Sequence, residues 1–302
     1  MDKHTLLKLY SLELKELLAL AKEKTKNEVE FCSLISARTG KCGEGCKYCS
    51  QSSRYMTSIP THPLVSVEDV IKTAREAKQN GATRFAIVTS GRGPSDEDMP
   101  VFCEMIKEIN KLGLKSCASI GLLKDGQAEK LKEAGLVRFH HNINTCRSYH
   151  PYITDTHTYE DRLDTIKKVK NAGIELCCGV IVGMGETIEQ RIEMALELAQ
   201  IQPESIPFNM LTPIKGTPFE NYGDKIDEEN ILRTACIFKI ANPNSSVRFA
   251  GGRKARLSKE NMELALENCI EAVLIGNYLT TIGITPQEDK QTIEKLGKAL
   301  CV

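Results

Sequence analysis

The sequence predicts a single (β/α)8 barrel of the TIM type, an α/β fold, behind a short N-terminal helical extension. Three observations predict it. Short β-branched or aromatic runs alternate with amphipathic helical stretches, eight such units fit in one chain, and no linker, repeat or low-complexity segment divides them. In that fold the chemistry belongs at the carboxyl ends of the strands and on the loops that follow them.

Taken in order, residues 1–30 interleave leucines with lysines and glutamates at helical spacing and form the extension, and residues 31–302 form the barrel. Strands are expected at FCSLIS (31–36), RFAIVTS (84–90), KSCAS (115–119), VRFHHN (137–142), ELCCGVIV (175–182), SIPFNM (205–210), SVRFA (246–250) and AVLIG (272–276). Helices between them stop at Gly81, Gly113, Gly135 and Gly173, where a left-handed residue releases the chain into the next strand. Several helices start on recognisable caps: Ser66 ahead of Val67-Glu68-Asp69, Thr187 three residues before Gln190, and Thr285 followed by Pro286 at the first helical position.

With 302 residues, 41% hydrophobic and 26% charged, the chain has material for one large core or two modest ones. Forty basic residues balance forty acidic ones without a Lys/Arg block, which disfavours RNA or DNA as a partner. The first thirty residues hold no uninterrupted apolar stretch, so neither a signal peptide nor a membrane span is expected. Twelve cysteines without an export signal point to a reducing cytoplasm, where clustered thiols bind metal or do chemistry more often than they form disulfides.

Just after the first strand, Cys42, Cys46 and Cys49 make a CxxxCxxC pattern in a glycine-rich loop. Structural zinc wants four closed protein ligands and usually two CxxC knuckles, and no second knuckle exists. A 4Fe-4S cluster held by three cysteines keeps one iron open to an outside ligand. The alternatives at this point are a zinc loop completed by a distant residue such as His62, or buried thiols.

CxxxCxxC with an aromatic residue before the last cysteine resembles the signature of the radical S-adenosylmethionine (SAM) superfamily. The resemblance implies that Cys42, Cys46 and Cys49 hold the cluster, that its open iron chelates SAM, and that Tyr48 packs near the adenine. Reductive cleavage of SAM then gives methionine and a 5'-deoxyadenosyl radical.

Over nearly the whole chain the sequence further resembles the biotin synthases, in TGKCGEGCKYCSQSSRY, TRFAIVTSGRGP, EDRLDT (160–165), CCGVIVGMGET (177–187), NMLTPIKGTP (209–218) and SSVRFAGGR (245–253). The tract 139–145, FHHNINT, resembles the family's NHNLDT segment, whose Asn and Asp bind substrate and the SAM ribose. Asn142 matches that Asn, and Asn144 stands where the family has the acid, keeping a hydrogen-bonding acceptor but losing the charge. Asn209 matches the family asparagine that holds the ureido ring of dethiobiotin, a urea whose donors and acceptor an amide complements. Arg162 resembles a family arginine near the SAM carboxylate, its other reading being a solvated helix residue; Gly183 resembles a glycine of the turn that approaches the adenine.

The commonest biotin synthases carry an auxiliary two-iron cluster held by cysteines on strands two, three and five and an arginine on strand seven. Here Cys117, Cys177 and Arg248 match, but Ala86 fills the strand-two position. Cys32 on strand one is the expected replacement. Strands one, three, five and seven are alternate strands, and alternate strands supply the four side chains of one barrel layer. Three thiolates and Arg248 in one layer suit a rebuilt auxiliary cluster, with four irons and an extra sulfide rather than 2Fe-2S. Each of these cysteines could instead fill the core as a small hydrophobe, but a buried arginine beside them calls for an anionic partner.

Cys178 should face the helices from the other side of its strand, and Cys103, Cys146, Cys236, Cys269 and Cys301 read as packing or surface thiols. His150 and His157 lack zinc-like spacing and read as structural. The resemblance implies sulfur insertion into dethiobiotin at C9 and C6, electrons from a flavodoxin or ferredoxin, and a homodimer. The rivals are another radical SAM enzyme of the same branch, of the hydrogenase-maturation or methylornithine synthase type, and a non-catalytic metal-binding scaffold.

Overall fold

A computed structural model describes residues 1–276 and 283–301. Nine strand segments build a closed parallel barrel of eight staves: β1 (Glu28–Arg38), β2 (Arg84–Thr89), β3 (Lys115–Ser119), β4 (Arg138–His140), β5 (Glu175–Cys177) with β6 (Val180–Val182), β7 (Ser205–Met210), β8 (Ser246–Phe249) and β9 (Ala272–Leu274). β9 pairs back onto β1 and closes the ring. A short β10 (Ala299–Leu300), which sequence patterning did not show, pairs with Glu28 and Val29 at the start of β1.

Local chemistry accounts for the boundaries. Ser66, Thr158, Thr187 and Thr285 each close a reciprocal capping box, satisfying backbone N–H groups that the first helical turn leaves open. Gly81, Gly113, Gly135 and Gly173 all take positive φ, between 67° and 92°, after the helices they end. Strand alternation sorts the faces: Arg84, Ala86 and Val88 line the interior, while Phe85 and Ile87 are fully buried between sheet and helices.

The fifth stave is broken where the sequence suggests one strand. Cys177 pairs with Ser205 and Val180 with Phe208, so Cys178 and Gly179 lie opposite Ile206 and Pro207. Pro207 has no N–H for the ladder, and Gly179 sits so close that a Cβ on it would stand 2.0 Å from the Pro207 carbonyl oxygen. Gly179→Ala is therefore expected to cost about 1–3 kcal/mol through overpacking against backbone, read as a lower Tm in thermal unfolding. A Tm equal to wild type would show that the stave yields freely there.

The extension is helical, Lys3–Tyr10 and Leu14–Lys22. Its Leu6, Leu17 and Ala21 are fully buried, and Tyr10 donates from its hydroxyl to Asn230 Oδ1 at 2.7 Å on the helix Glu228–Ala241. No helix among the described residues is long and apolar enough to cross a membrane.

Candidate active site

A cavity of about 460 Å3 runs down the barrel from the carboxyl ends of the strands, within the ~300–1,000 Å3 usual for small-ligand sites. Cys42, Cys46 and Cys49 stand on its wall together with Cys32, Cys117, Cys177 and Arg248.

The loop carrying the first three cysteines is fixed by its own hydrogen bonds. Gly40 (φ 71°) and Lys41 (φ 52°) turn the chain out of β1, and Gly40 N–H donates to Gln51 Oε1 at 3.1 Å. Cys42 N–H donates to the Gln51 carbonyl and the Cys42 carbonyl accepts from Ser53 N–H across the loop, and Tyr55 donates to the Gly45 carbonyl at 2.7 Å. Burial pushes the Cys46 thiol up and the Cys49 thiol to about 12, so without a metal cation both stay protonated, and binding a metal there would have to release their protons. Among the described residues no three His, Cys, Asp or Glu side chains are disposed to hold a single metal ion. His62 lies away from the cavity, its Nδ1 against the Pro63 carbonyl oxygen.

Next to this loop, Asn144 adopts the left-handed conformation that asparagine tolerates (φ 65°) and donates from Nδ2 to the Tyr48 hydroxyl at 2.6 Å. Arg162 lines the cavity rather than solvent, donating through Nη1 to the Asn142 carbonyl at 2.9 Å and through Nη2 to His157 Nε2 at 2.8 Å. His157 in turn holds Glu44 of the cysteine loop, which also accepts from Thr156 and Arg92. Arg162 Nε and His141 Nε2 are buried with no hydrogen-bond partner among the described residues.

Two asparagines spend part of their amide on the barrel itself. Asn142 Oδ1 accepts from Gly179 N–H at 2.9 Å. Asn209 donates to the Val180 carbonyl at 3.0 Å and accepts from Gly251 N–H at 2.9 Å. Asn142 thus keeps both its N–H bonds and Asn209 one. Gly183 stands outside the cavity wall: its N–H donates to Glu186 at 2.8 Å, and its Cα faces Ile226.

Strand register stacks the deeper residues. Cys117 pairs with Ala86, which pairs with Leu34, two residues above Cys32. Cys177 pairs with His140, two above the Arg138 that pairs with Cys117. Arg248 pairs with Pro207, two above the Ser205 that pairs with Cys177. Leu274, two above the Ala272 that pairs with Arg248, returns to Cys32. Four such steps close the eight-residue stagger of a TIM barrel and place Cys32, Cys117, Cys177 and Arg248 in one layer.

The same steps put Ala86, His140, Pro207 and Leu274 in the layer above the thiols, and Arg84, Arg138, Ser205 and Ala272 in the layer below. Ala86 therefore belongs to a different layer from the three cysteines. Below them, Glu30 and Glu175 bind Arg84 and Arg138: Arg84 Nε meets Glu30 at 2.8 Å and Arg138 Nη2 meets Glu175 at 2.8 Å. Cys178 is fully buried in the outer core, on the helix side.

The layer is electrostatically uneven. Burial raises the Cys32 thiol, and takes Cys117 to about 12. At Cys177 burial acts in the same direction but is outweighed by Arg248 and His140, which bring the thiol down to about 6. Arg248 Nη2 lies 3.4 Å from Cys177 Sγ, while its Nε is buried with no hydrogen-bond partner among the described residues. Three buried thiols and a guanidinium with an unused N–H fit an anionic iron-sulfur group.

His140, His157, Glu44 and the Glu30–Arg84–Arg138–Glu175 network escaped sequence reading. The one available signal was the period of two in β4, which puts Arg138 and His140 on one face with Asn142.

Residues 36–199 match the model of the radical SAM superfamily, and residues 207–299 match the biotin and thiamin synthesis associated domain. The chain is 44% identical to a biotin synthase of Acetivibrio thermocellus, over 92% of this chain and 86% of that one. It is 41% identical to a biotin synthase of Clostridium perfringens strain 13, over 96% of this chain and 92% of the relative. Among solved structures, methylornithine synthase superposes with a TM-score of 0.84 at 19% identity, covering 100% of this chain and 94% of that one. HydG, a maturase of FeFe-hydrogenase, superposes with a TM-score of 0.84 at 17% identity, covering 100% and 73%. The two structures share the fold, and the close sequence relatives fix the lineage: the chain belongs to the biotin synthase family of the radical SAM superfamily.

Proposed function

We propose that the chain inserts sulfur into dethiobiotin at C9 and C6 to make biotin, drawing the sulfur from an auxiliary iron-sulfur cluster held by Cys32, Cys117, Cys177 and Arg248. The observation that carries this is the single layer of three thiols and one guanidinium beneath a cavity that the CxxxCxxC loop opens onto. When bound, a 4Fe-4S cluster on Cys42, Cys46 and Cys49 together with SAM supplies reductive generation of a hydrogen-abstracting radical, and the auxiliary cluster supplies sulfur as a consumed substrate. Three thiolates and Arg248 suit four irons and an extra sulfide better than 2Fe-2S.

The protein's own residues bind, orient and seal. Arg162, backed by His157 and Glu44, offers its unpaired Nε to the SAM carboxylate, and Tyr48 and Asn144 present a ring and an amide to its nucleoside. Asn142 and Asn209 turn their remaining donors to the ureido ring. The apolar walls exclude water that would quench a radical. Reduced flavodoxin or ferredoxin serves as the electron donor, and the enzyme works as a homodimer.

The test is anaerobic reconstitution with iron and sulfide, then SAM, reductant and dethiobiotin, scoring methionine, 5'-deoxyadenosine and biotin by mass spectrometry. Biotin is expected. Deoxyadenosine without biotin would move the chain to a sister activity, and neither product would leave a metal-binding scaffold. Asn142→Asp keeps the acceptor for Gly179 N–H but removes the donors. It is expected to weaken dethiobiotin about tenfold in calorimetric titration with SAM present, at unchanged Tm. Unchanged affinity would take Asn142 out of the substrate site.

A further inference from the structure

His140 has no part in the reaction as described so far. It is the one polar side chain in the layer directly above the thiols, beside Ala86, Pro207 and Leu274, and it lines the cavity. Its Nδ1 stands 3.3 Å from Cys177 Sγ, and Arg248 Nη2 reaches the same sulfur at 3.4 Å from within the thiol layer. The other two sulfurs meet acceptors, Cys32 Sγ the Glu30 carboxylate at 3.9 Å and Cys117 Sγ the Lys115 carbonyl at 3.8 Å, and the nitrogen donor beside Cys32 is the same Arg248. Cys177 is the corner met by two nitrogen donors, Arg248 from within the layer and His140 from above it.

We propose that His140 is a positioning residue of the auxiliary site, giving its ring N–H to Cys177 Sγ and thereby raising the reduction potential of the cluster that Cys177 holds. The inference rests on the assignment of Cys32, Cys117 and Cys177 as ligands. Hydrogen bonds to a cluster's sulfurs stabilise the charge added on reduction, so they move its potential upward. The small Ala86 leaves room beside the ring, in the layer through which a substrate must approach the sulfur. His140 thus sets the Cys177 corner apart from the other two on the substrate side.

The experiment uses holoenzyme reconstituted anaerobically as wild type, His140→Leu, His140→Asn and His140→Ala. Each is titrated with dithionite at controlled potential, following the two clusters by electron paramagnetic resonance. The SAM-responsive signal identifies the other cluster and serves as an internal reference. In His140→Leu the reduced-to-oxidised ratio of the auxiliary cluster at fixed potential is expected to fall about tenfold, or about 59 mV for one electron. His140→Asn, which retains an N–H donor, is expected to stay close to wild type, and added imidazole to restore His140→Ala. An auxiliary potential that is the same in the Leu, Ala and wild-type proteins would overturn the proposal. Wild-type protein holding only the SAM cluster would overturn the ligand assignment itself, and the inference with it.

Discussion

Cys32→Ala is expected to abolish biotin formation while leaving SAM cleavage to 5'-deoxyadenosine in place. The two activities separate because the thiols occupy different levels of one cavity: Cys42, Cys46 and Cys49 on the loop after β1, Cys32 inside β1 itself. Loss of an outer-shell partner already costs about 10–100-fold in metal affinity or activity, so loss of a ligand should cost at least about a hundredfold in biotin yield. Iron and sulfide analysis should show the SAM cluster retained and the auxiliary iron lost. Cys178→Ala, one residue from Cys177 but on the helix side, is the control and should keep both activities. Biotin formed by Cys32→Ala at the wild-type level would return Cys32 to the core as a small hydrophobe.

Asp289→Ala is expected to be the most destabilising single change outside the site. Arg253 and Asp289 form a bidentate pair, 2.6 Å and 2.5 Å, with side chains only 1% and 3% exposed. The pair ties the helix Pro286–Lys295 to the residue that follows Gly252 at the barrel rim. Removing the carboxylate leaves a buried guanidinium without it, at a cost of about 3–5 kcal/mol, which corresponds to a fall in Tm of about ten degrees. A double replacement, Arg253→Met with Asp289→Leu, should recover much of the loss because it removes both charges. A fall in Tm for Asp289→Ala no larger than that of an exposed substitution would show that water reaches the arginine.

Much of this fold is legible because it is written locally. Capping boxes at Ser66, Thr187 and Thr285, left-handed glycines and period-two strands each depend on a few neighbouring residues. The cysteines were equally visible, since a thiol inside a strand declares its face by its position. What stayed hidden depends on register. His140 gains meaning only when β4 lies beside β5 and brings its ring to Cys177. His157 reads as structural by spacing, yet the chain folds it onto Glu44 and Arg162 at the cavity. Gly183, expected near the adenine from the resemblance of its turn, gives its N–H to Glu186, a fold-back that spacing does not show. The break in the fifth stave arises from Pro207, which lies on the neighbouring strand.

A protein that spends its own cluster must survive the spending. The thiol layer is built from four staves far apart in sequence, and a cluster held there as proposed would tie them together only until it is spent. One level deeper, Glu30, Arg84, Arg138 and Glu175 lash β1, β2, β4 and β5 together with ion pairs that owe nothing to metal. These metal-independent ties brace the side of the ring that carries β1, β2, β4 and β5, so that wall of the chamber has a support of its own whatever the layer above it holds.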